Sequence, residues 1–325
     1  MLVNEEAIKE IARQSSVLDA TASSHWDGKE AKGQKYGLAE DPLNFSKALS
    51  NFSVIGPIGA ISLKKSFPYN LAHWLLQIPF RRMGVKLKEF GKFDRIAASI
   101  ARRQGRAYDG DLMRHTLTMA LFNTHLDMEK DLRLVAVIGD GFANMSSLLL
   151  EGAPNSRIIL VNLTKTLLLD LAFLRQTLPS ETIALVQSAE DMSQVLTDQS
   201  TRIIALQADN ADLLAVAPVT LGINILSMIE MEPQVTAAYF DILRRCPSER
   251  TAFYCANHFE KFWADGTIIR FYEYPWDDED TYLVDEPCPW DQYGYRARPP
   301  FYYARPSQSL HRLLYLKKHD AKTGA

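Results

Sequence analysis

The hydrophobic pattern changes rhythm about two-fifths of the way along the chain. From about residue 131, short apolar runs recur at Leu134–Ile138, Ile158–Val161, Thr182–Val186, Ile203–Gln207, Leu221–Ile225 and Ala252–Cys255. Short continuous apolar runs bounded by turn residues are what strands buried on both faces look like. Helical spacing falls between some of them, at Met145–Leu150, Thr166–Thr177 and Pro233–Arg245. Strand and helix in alternation predict an α/β fold with a parallel sheet. Thr267–Tyr274 and Arg312–Lys317 read as two late strands joined by a long loop. Before residue 131 the spacing is that of helices, at Glu5–Arg13 and Leu112–Met128. Asn51–Ala60, with two Gly and a Pro, predicts a loop, and the aromatic stretch Tyr69–Phe80 predicts burial. The expected organisation is a mainly helical N-terminal region, 1–130, followed by an α/β domain, 131–325.

The first apolar run ends in a glycine turn, Val137-Ile138-Gly139-Asp140-Gly141-Phe142-Ala143-Asn144. In open α/β sheets, ligands bind beyond the carboxyl ends of the strands, where such turns lie. Gly139 and Gly141 lack a Cβ, so the backbone there can approach a ligand closely. A dinucleotide fingerprint requires a third glycine and then an acidic residue for the ribose. Here Asn144 takes the glycine's place and the second strand ends in Asn162. A nicotinamide cofactor therefore fits poorly, and the turn reads either as another ligand's cradle or as a plain left-handed turn.

Charge and cysteine usage narrow the classes. The formal net charge of −3 gives no support for nucleic-acid binding. Cys246, Cys255 and Cys288 offer neither a disulfide framework nor a metal spacing, and they suit a reducing cytoplasm. The first residues, MLVNEEAIKEIARQ, are acidic and amphipathic, unlike a signal peptide. No apolar run is long enough to span a bilayer. Residues 81–106 hold nine Lys or Arg against Glu89 and Asp94, whereas 271–295 hold eight acids and no Lys or Arg. The basic stretch reads as a solvated helix face, as a surface steering an anionic substrate, or as the partner of the acidic stretch.

Four further patterns point to one family. They are VIGDGFAN at 137–144; ILVNL with the leucine-rich helix that follows; INILSMIEM at 223–231 with Tyr239-Phe240; and FYCANH at 253–258 with YEYPW, CPW and HRLLYL after it. Together they resemble the sugar O-methyltransferase family of bacterial polysaccharide and secondary-metabolite clusters, over roughly residues 131–318. The resemblance implies a Rossmann-like class I methyltransferase sheet, S-adenosylmethionine as donor and a sugar or glycosylated small molecule as acceptor. It implies that Gly139, Asp140 and Gly141, with Phe142 and Asn144 completing the turn, lie along the donor. Asn162 would face the ribose and Asn224 the region of the methyl group. Ser227 and Glu230 would line the cleft near that group, and Asn257 and His258, at the end of the next strand, would face the acceptor. The chain departs from the family in carrying Val137 for Glu, Ala143 for Gly and Asn162 for Asp. Asn has one carbonyl oxygen to accept with, where a carboxylate has two oxygens. Losing one hydrogen bond costs about 1 kcal/mol, so the departures imply a weaker, rebuilt or absent donor site.

A sugar hydroxyl is a poor nucleophile and benefits from a general base. His258 is the first candidate, because an imidazole near its ordinary pKa accepts a proton at neutral pH. Glu230 is second, and His311 and Asp277 are more distant options. The bland alternatives are a strand-end histidine and a carboxylate favouring a helix N-terminus. Residues 271–303 hold eleven aromatics beside Asp277–Asp280 and Asp285–Glu286. This composition predicts a lid or acceptor wall with Trp276, Trp290 and Tyr293 as contacts. Two rival functions remain open: a degenerate, non-catalytic member of the fold that binds a sugar or partner, and a nucleotide-dependent reductase. The oligomeric state is left open, a homo-oligomer included.

Overall fold

The computed structural model describes residues 1–15, 19–23, 41–44, 67–296, 299–305 and 307–319. The loop expected at Asn51–Ala60 lies outside the described residues. A nine-stranded sheet organises the chain. Its strands are β1 (Leu2–Val3), β2 (Leu134–Ile138), β3 (Arg157–Asn162), β4 (Ile183–Val186), β5 (Ile203–Gln207), β6 (Leu221–Ile225), β7 (Thr251–His258), β10 (Thr281–Pro287) and β13 (Ser309–Leu316). Two small hairpins, β8 (Glu260–Phe262) with β9 (Ile268–Arg270) and β11 (Tyr293–Tyr295) with β12 (Tyr302–Ala304), stand apart from it. The spatial order is β1-β4-β5-β3-β2-β6-β7-β13-β10. Neighbours from β4 to β7 run parallel, while β1, β13 and β10 pair antiparallel. The mainly parallel sheet with a late antiparallel pair matches the α/β organisation expected from the sequence. β5 slots between β3 and β4, and β1 extends the edge beyond β4.

The apolar runs are continuous because both faces of the sheet are covered. Side chains alternate along a strand. Val135, Val137, Ile158 and Leu160 therefore enter one core, while Leu134, Ala136, Ile138, Ile159 and Val161 enter the other. The first core is filled by α1 (Asn4–Gln14), α4 (Phe90–Arg103), α5 (Gly110–His125), α6 (Asn144–Gly152) and α7 (Thr164–Thr177), counting α2 (Phe67–Leu76) and α3 (Ile78–Gly84) before them. The second is filled by α8 (Ala189–Thr197) and α9 (Pro233–Arg245). Each fully buried Leu, Ile or Phe contributes about 1.5–3 kcal/mol. The helices of the N-terminal stretch share the first core with the sheet: Phe93, Ile100 and Phe122 pack in one cluster with Val137 and Leu160.

The late region departs from expectation. β13 pairs with β10, not with Thr267–Tyr274, whose residues 268–270 pair with β8 instead. The acidic and aromatic run at 271–286 is committed to two buried arginines rather than to a lid. Arg312 lies under the rings of Trp276, Phe271, Tyr272 and Tyr282 at 4.6–5.5 Å and donates to Asp285 at 2.8 Å. Arg244 donates to both oxygens of Asp280, at 2.6 and 2.8 Å, with both side chains at most 3% exposed. Burial pushes the Asp280 carboxyl up, but Arg244 and the N–H groups of Lys317 and Asp277 more than offset this. The group sits below the ordinary aspartate value.

Asp280→Ala leaves the Arg244 guanidinium buried without its counter-charge and is expected to cost about 3–5 kcal/mol in urea unfolding at pH 7. The folded-state pKa is the lower one, so this stabilisation is complete above the ordinary aspartate value. It disappears as pH falls through the depressed one. The wild-type advantage over the variant should therefore shrink in unfolding curves taken at progressively acidic pH.

Candidate active site

β2 is the strand at which the order of the sheet reverses: β3 follows on one side and β6 lies on the other. A crevice opens beyond such a switch point. Here it holds a cleft of about 600 Å³, within the usual range for small-molecule sites. Gly139 (φ +76°), Gly141 (φ +84°) and Ala143 (φ +50°) turn the chain away from β2 in left-handed conformations. Gly139 is obligatory for a second reason. A Cβ on it would stand 2.3 Å from Ser227 Oγ and 2.6 Å from Ser227 Cβ. Ser227 and Asn224 both donate to the Ile138 carbonyl at 3.0 Å.

The Asp140 carboxylate accepts from the N–H groups of Met145 and Ser146, at 3.1 and 2.8 Å, and so caps α6. Its side chain serves the helix while its backbone lines the cleft. Phe142 packs edge-to-face on Phe173 at 5.5 Å and anchors the turn. Asp170, on α7, is fully buried beneath the same turn, where it accepts from Ala143 N–H at 2.9 Å and Asn162 Nδ2 at 2.8 Å. Burial and the nearby Asp140 charge push its carboxyl well up, against these donors. Asn162 lines the cleft with its amide partly used: one Nδ2 hydrogen goes to Asp170, and Oδ1 accepts from Leu163 N–H at 2.9 Å. Val137, the family's glutamate position, is 2% exposed inside the first core, where a carboxylate would be stranded.

Four residues expected at the site lie elsewhere. Asn224 and Asn257 are fully buried and bracket two loops. Asn224 Oδ1 accepts from Met228 N–H at 3.0 Å and Asn257 Nδ2 at 2.9 Å, and Asn257 Oδ1 accepts from Ile229 N–H at 3.2 Å. Asn144 is buried between Arg106 and Asp111, donating to the latter at 2.7 Å. Trp276 packs in the second core and donates to the Phe271 carbonyl at 2.8 Å. These corrections share one reason: buried polar groups are bound to internal partners. Ser227, Glu230, His258, Trp290 and Tyr293 do line the cleft. Glu230 is paired with Lys261 at 2.7 Å. His311 is buried within the sheet near Tyr254 and Trp290, where burial lowers it to about 4. Asp277 caps Glu279 N–H in a turn at 2.9 Å.

The structure adds a wall that the sequence reading missed. α5 presents Asp111, Arg114 and His115 to the cleft. Asp111 bonds Arg114, and Arg114 reaches Asp291 at 3.4 Å. Burial drives Asp111 up, but Arg114, His115, Arg106 and Asn144 drive it further down, to below the ordinary aspartate value. The one signal was polar residues on a helix buried all round. Residues 19–23 form a second addition, running along the carboxyl edge of the sheet. Asp19 accepts from Thr164 N–H at 3.0 Å, Asp209 from the N–H groups of Ala20 and Thr21, and Ser23 donates to the Glu230 carbonyl at 2.5 Å. Tyr295 adds a ring to the aromatic side, its hydroxyl accepting from Gln77 at 2.7 Å.

His258 Nδ1 lies 3.1 Å from Ser309 Oγ, and Ser309 donates to Asp291. Burial lowers the imidazole's pKa; Asp291 opposes this, and Arg305, Lys261 and Arg114 reinforce it. The ring is therefore neutral at pH 7. Fold and cleft together define the class: a Rossmann-like α/β protein with a mainly parallel sheet and a cleft of small-molecule size at its switch point.

No family model matches the chain, and no curated protein sequence matches it. Solved structures that align with it include the pyocyanin biosynthetic protein PhzM, at 9% identity over 62% of this chain and 56% of that one, with a TM-score of 0.32. A second is the Burkholderia thailandensis 1,6-didemethyltoxoflavin-N1-methyltransferase, at 12% identity over 64% of this chain and 88% of that one, with a TM-score of 0.33. A third is human N-acetylserotonin methyltransferase, at 7% identity over 62% and 55%, with a TM-score of 0.29. The aligned part spans little more than half of the first and third of these proteins. Likenesses at such scores carry no argument.

Gly139→Ala is expected to cost about 1–3 kcal/mol in urea unfolding, because φ is positive there and Ser227 leaves no room. The double variant with Ser227→Gly should recover part of the loss. A Gly139→Ala variant as stable as wild type would show that the turn and Ser227 can separate freely.

Proposed function

We propose that this chain is an S-adenosylmethionine-dependent O-methyltransferase acting on a hydroxyl of a sugar or glycosylated small molecule. The observation that supports it is one cleft with a glycine turn on one wall and a neutral, hydrogen-bonded His258 on another. The residues present suit the donor. The volume is adequate, the turn brings bare backbone to the surface, and the lining mixes acids with Arg114 and Lys261, as a zwitterionic ligand requires. Gly139, Asp140 and Gly141 would hold its methionine part through backbone groups, and Asn162 would meet the ribose. When bound, it supplies a methyl group already activated on a sulfonium, so the protein must supply position and a proton acceptor.

Trp290, Tyr293, Tyr295 and Tyr303 give the acceptor aromatic faces to stack on. The acceptor hydroxyl would be held toward His258, whose ring would take its proton as the oxygen bonds to the methyl carbon and that carbon parts from sulfur. Glu230 is tied to Lys261 and orients that lysine rather than acting as base. A second reading, a non-catalytic binding protein, is favoured by the Asn162 amide, half of whose hydrogen-bonding capacity is already spent on Asp170 and Leu163.

Calorimetric titration with S-adenosylmethionine and S-adenosylhomocysteine is expected to give micromolar binding to both. Absence of binding to either, with and without candidate acceptors, would favour the non-catalytic reading. His258→Ala should keep donor affinity while losing at least about a hundredfold in turnover. The wild-type rate should fall on the acid side with a midpoint below the ordinary histidine value, because the ring must be neutral to accept a proton and its pKa is lowered.

A further inference from the structure

We propose that Ser309 and Asp291 are positioning residues that fix His258 in one tautomer, with the proton on Nδ1 and the Nε2 lone pair available to the acceptor. This rests on the reading of His258 as the base. The antiparallel register sets Ser309 directly opposite His258 on the neighbouring strand, and the Phe259 N–H to Gln308 carbonyl bond of 2.7 Å holds the pair in place. Ser309 is 1% exposed and Asp291 2%. The serine hydroxyl has one hydrogen, and Asp291, an acceptor, takes it. Oγ then has only lone pairs to offer the ring 3.1 Å away, so the ring nitrogen facing it must be the donor. A neutral imidazole with hydrogen on Nδ1 has its lone pair on Nε2. Among the described residues, no hydrogen bond to Nε2 competes for that pair.

Asp291 is itself held on several sides. Arg305 reaches it at 3.1 Å and Arg114 at 3.4 Å, and its N–H donates to the Cys288 carbonyl at 3.1 Å. Gln292 ties the same turn to β13, donating to the Cys288 and Ser309 carbonyls at 2.9 Å. The hydroxyl dipole thus runs from His258 to a fixed carboxylate, with its negative end on the ring. As His258 takes the acceptor's proton, that dipole and the carboxylate behind it favour the cation formed. Burial, and then Arg305, Lys261 and Arg114, oppose the same charge and favour the neutral resting ring. The arrangement orients a base without placing a carboxylate against it.

The test is a two-bond proton–nitrogen correlation spectrum of the full chain labelled with 15N-histidine, at pH 7.5, with His258→Asn to assign the resonance among the seven histidines. The wild type is expected to show the Nδ1–H pattern at His258. Ser309→Ala is expected to lose it to Nε2–H or to exchange between the two, and Ser309→Thr, which keeps the hydroxyl, to retain it. Wild-type protein in the Nε2–H form would overturn the proposal, as would an Nδ1–H pattern undisturbed in Ser309→Ala. In turnover, Ser309→Ala should lose about tenfold in kcat, the worth of one ordinary hydrogen bond, with KM unchanged; an unchanged kcat would overturn the positioning role. The spectrum needs neither donor nor acceptor. A failure of the methyl-transfer reading shows in calorimetry, and a failure of this one shows in the histidine resonances.

Discussion

The contact between Gly139 and Ser227 is the constraint on which the site depends. It closes the gap between the ends of β2 and β6, where the strand order reverses, and leaves no volume for a side chain. Ser227 can stand there because Asn224 and Asn257 bind each other and the backbone of the same loop. A fully satisfied buried amide network of this kind is rigid, since breaking any member strands a polar group in the core. The turn beyond Gly139 inherits that rigidity, and so does the cleft wall it forms.

The other side of the cleft is built differently. Its elements are packed in the first core, but the side chains that face the cleft are held by charges and hydroxyls that share partners. Asp111, Arg114, Asp291, Arg305, Ser309 and His258 form a continuous chain from α5 to the end of β7. Burying so many ionisable groups is costly unless each has a partner of opposite charge or a hydrogen bond. The low pKa of His258 and that of Asp111 are two consequences of the same balance between desolvation and neighbouring charge. A neutral imidazole and an ionised carboxylate can therefore coexist within one small volume.

Expected site residues fall on both sides of the cleft wall: some line it and some face away. The glycine turn and the ends of β3, β6 and β7 do line it, as do Ser227, Glu230, His258, Trp290 and Tyr293. Asn144, Asn224, Asn257 and Trp276 do not. The three asparagines sit close to the turn but face inward, and sequence spacing carries no sign of which way an amide points. Trp276 and the acids near it looked like a carbohydrate wall. Arg312 and Arg244, which stand far away in sequence, gather them instead. Asp170, Asp111, Arg114 and Asp291 were missed because no local motif marks them, and each acquires meaning only from partners brought to it by the fold.

The sequence by itself determined the alternation of strand and helix, the parallel sheet, the left-handed glycine turn and the end of the sheet where a ligand would lie. These follow from local rules: the periodicity of burial and the allowed backbone of glycine. Tertiary structure alone decided that β5 enters between β3 and β4, that β13 pairs with β10, and which polar side chains face the cleft. Those outcomes depend on contacts between residues distant along the chain. Strand pairing and the satisfaction of buried polar groups are settled only when such residues meet.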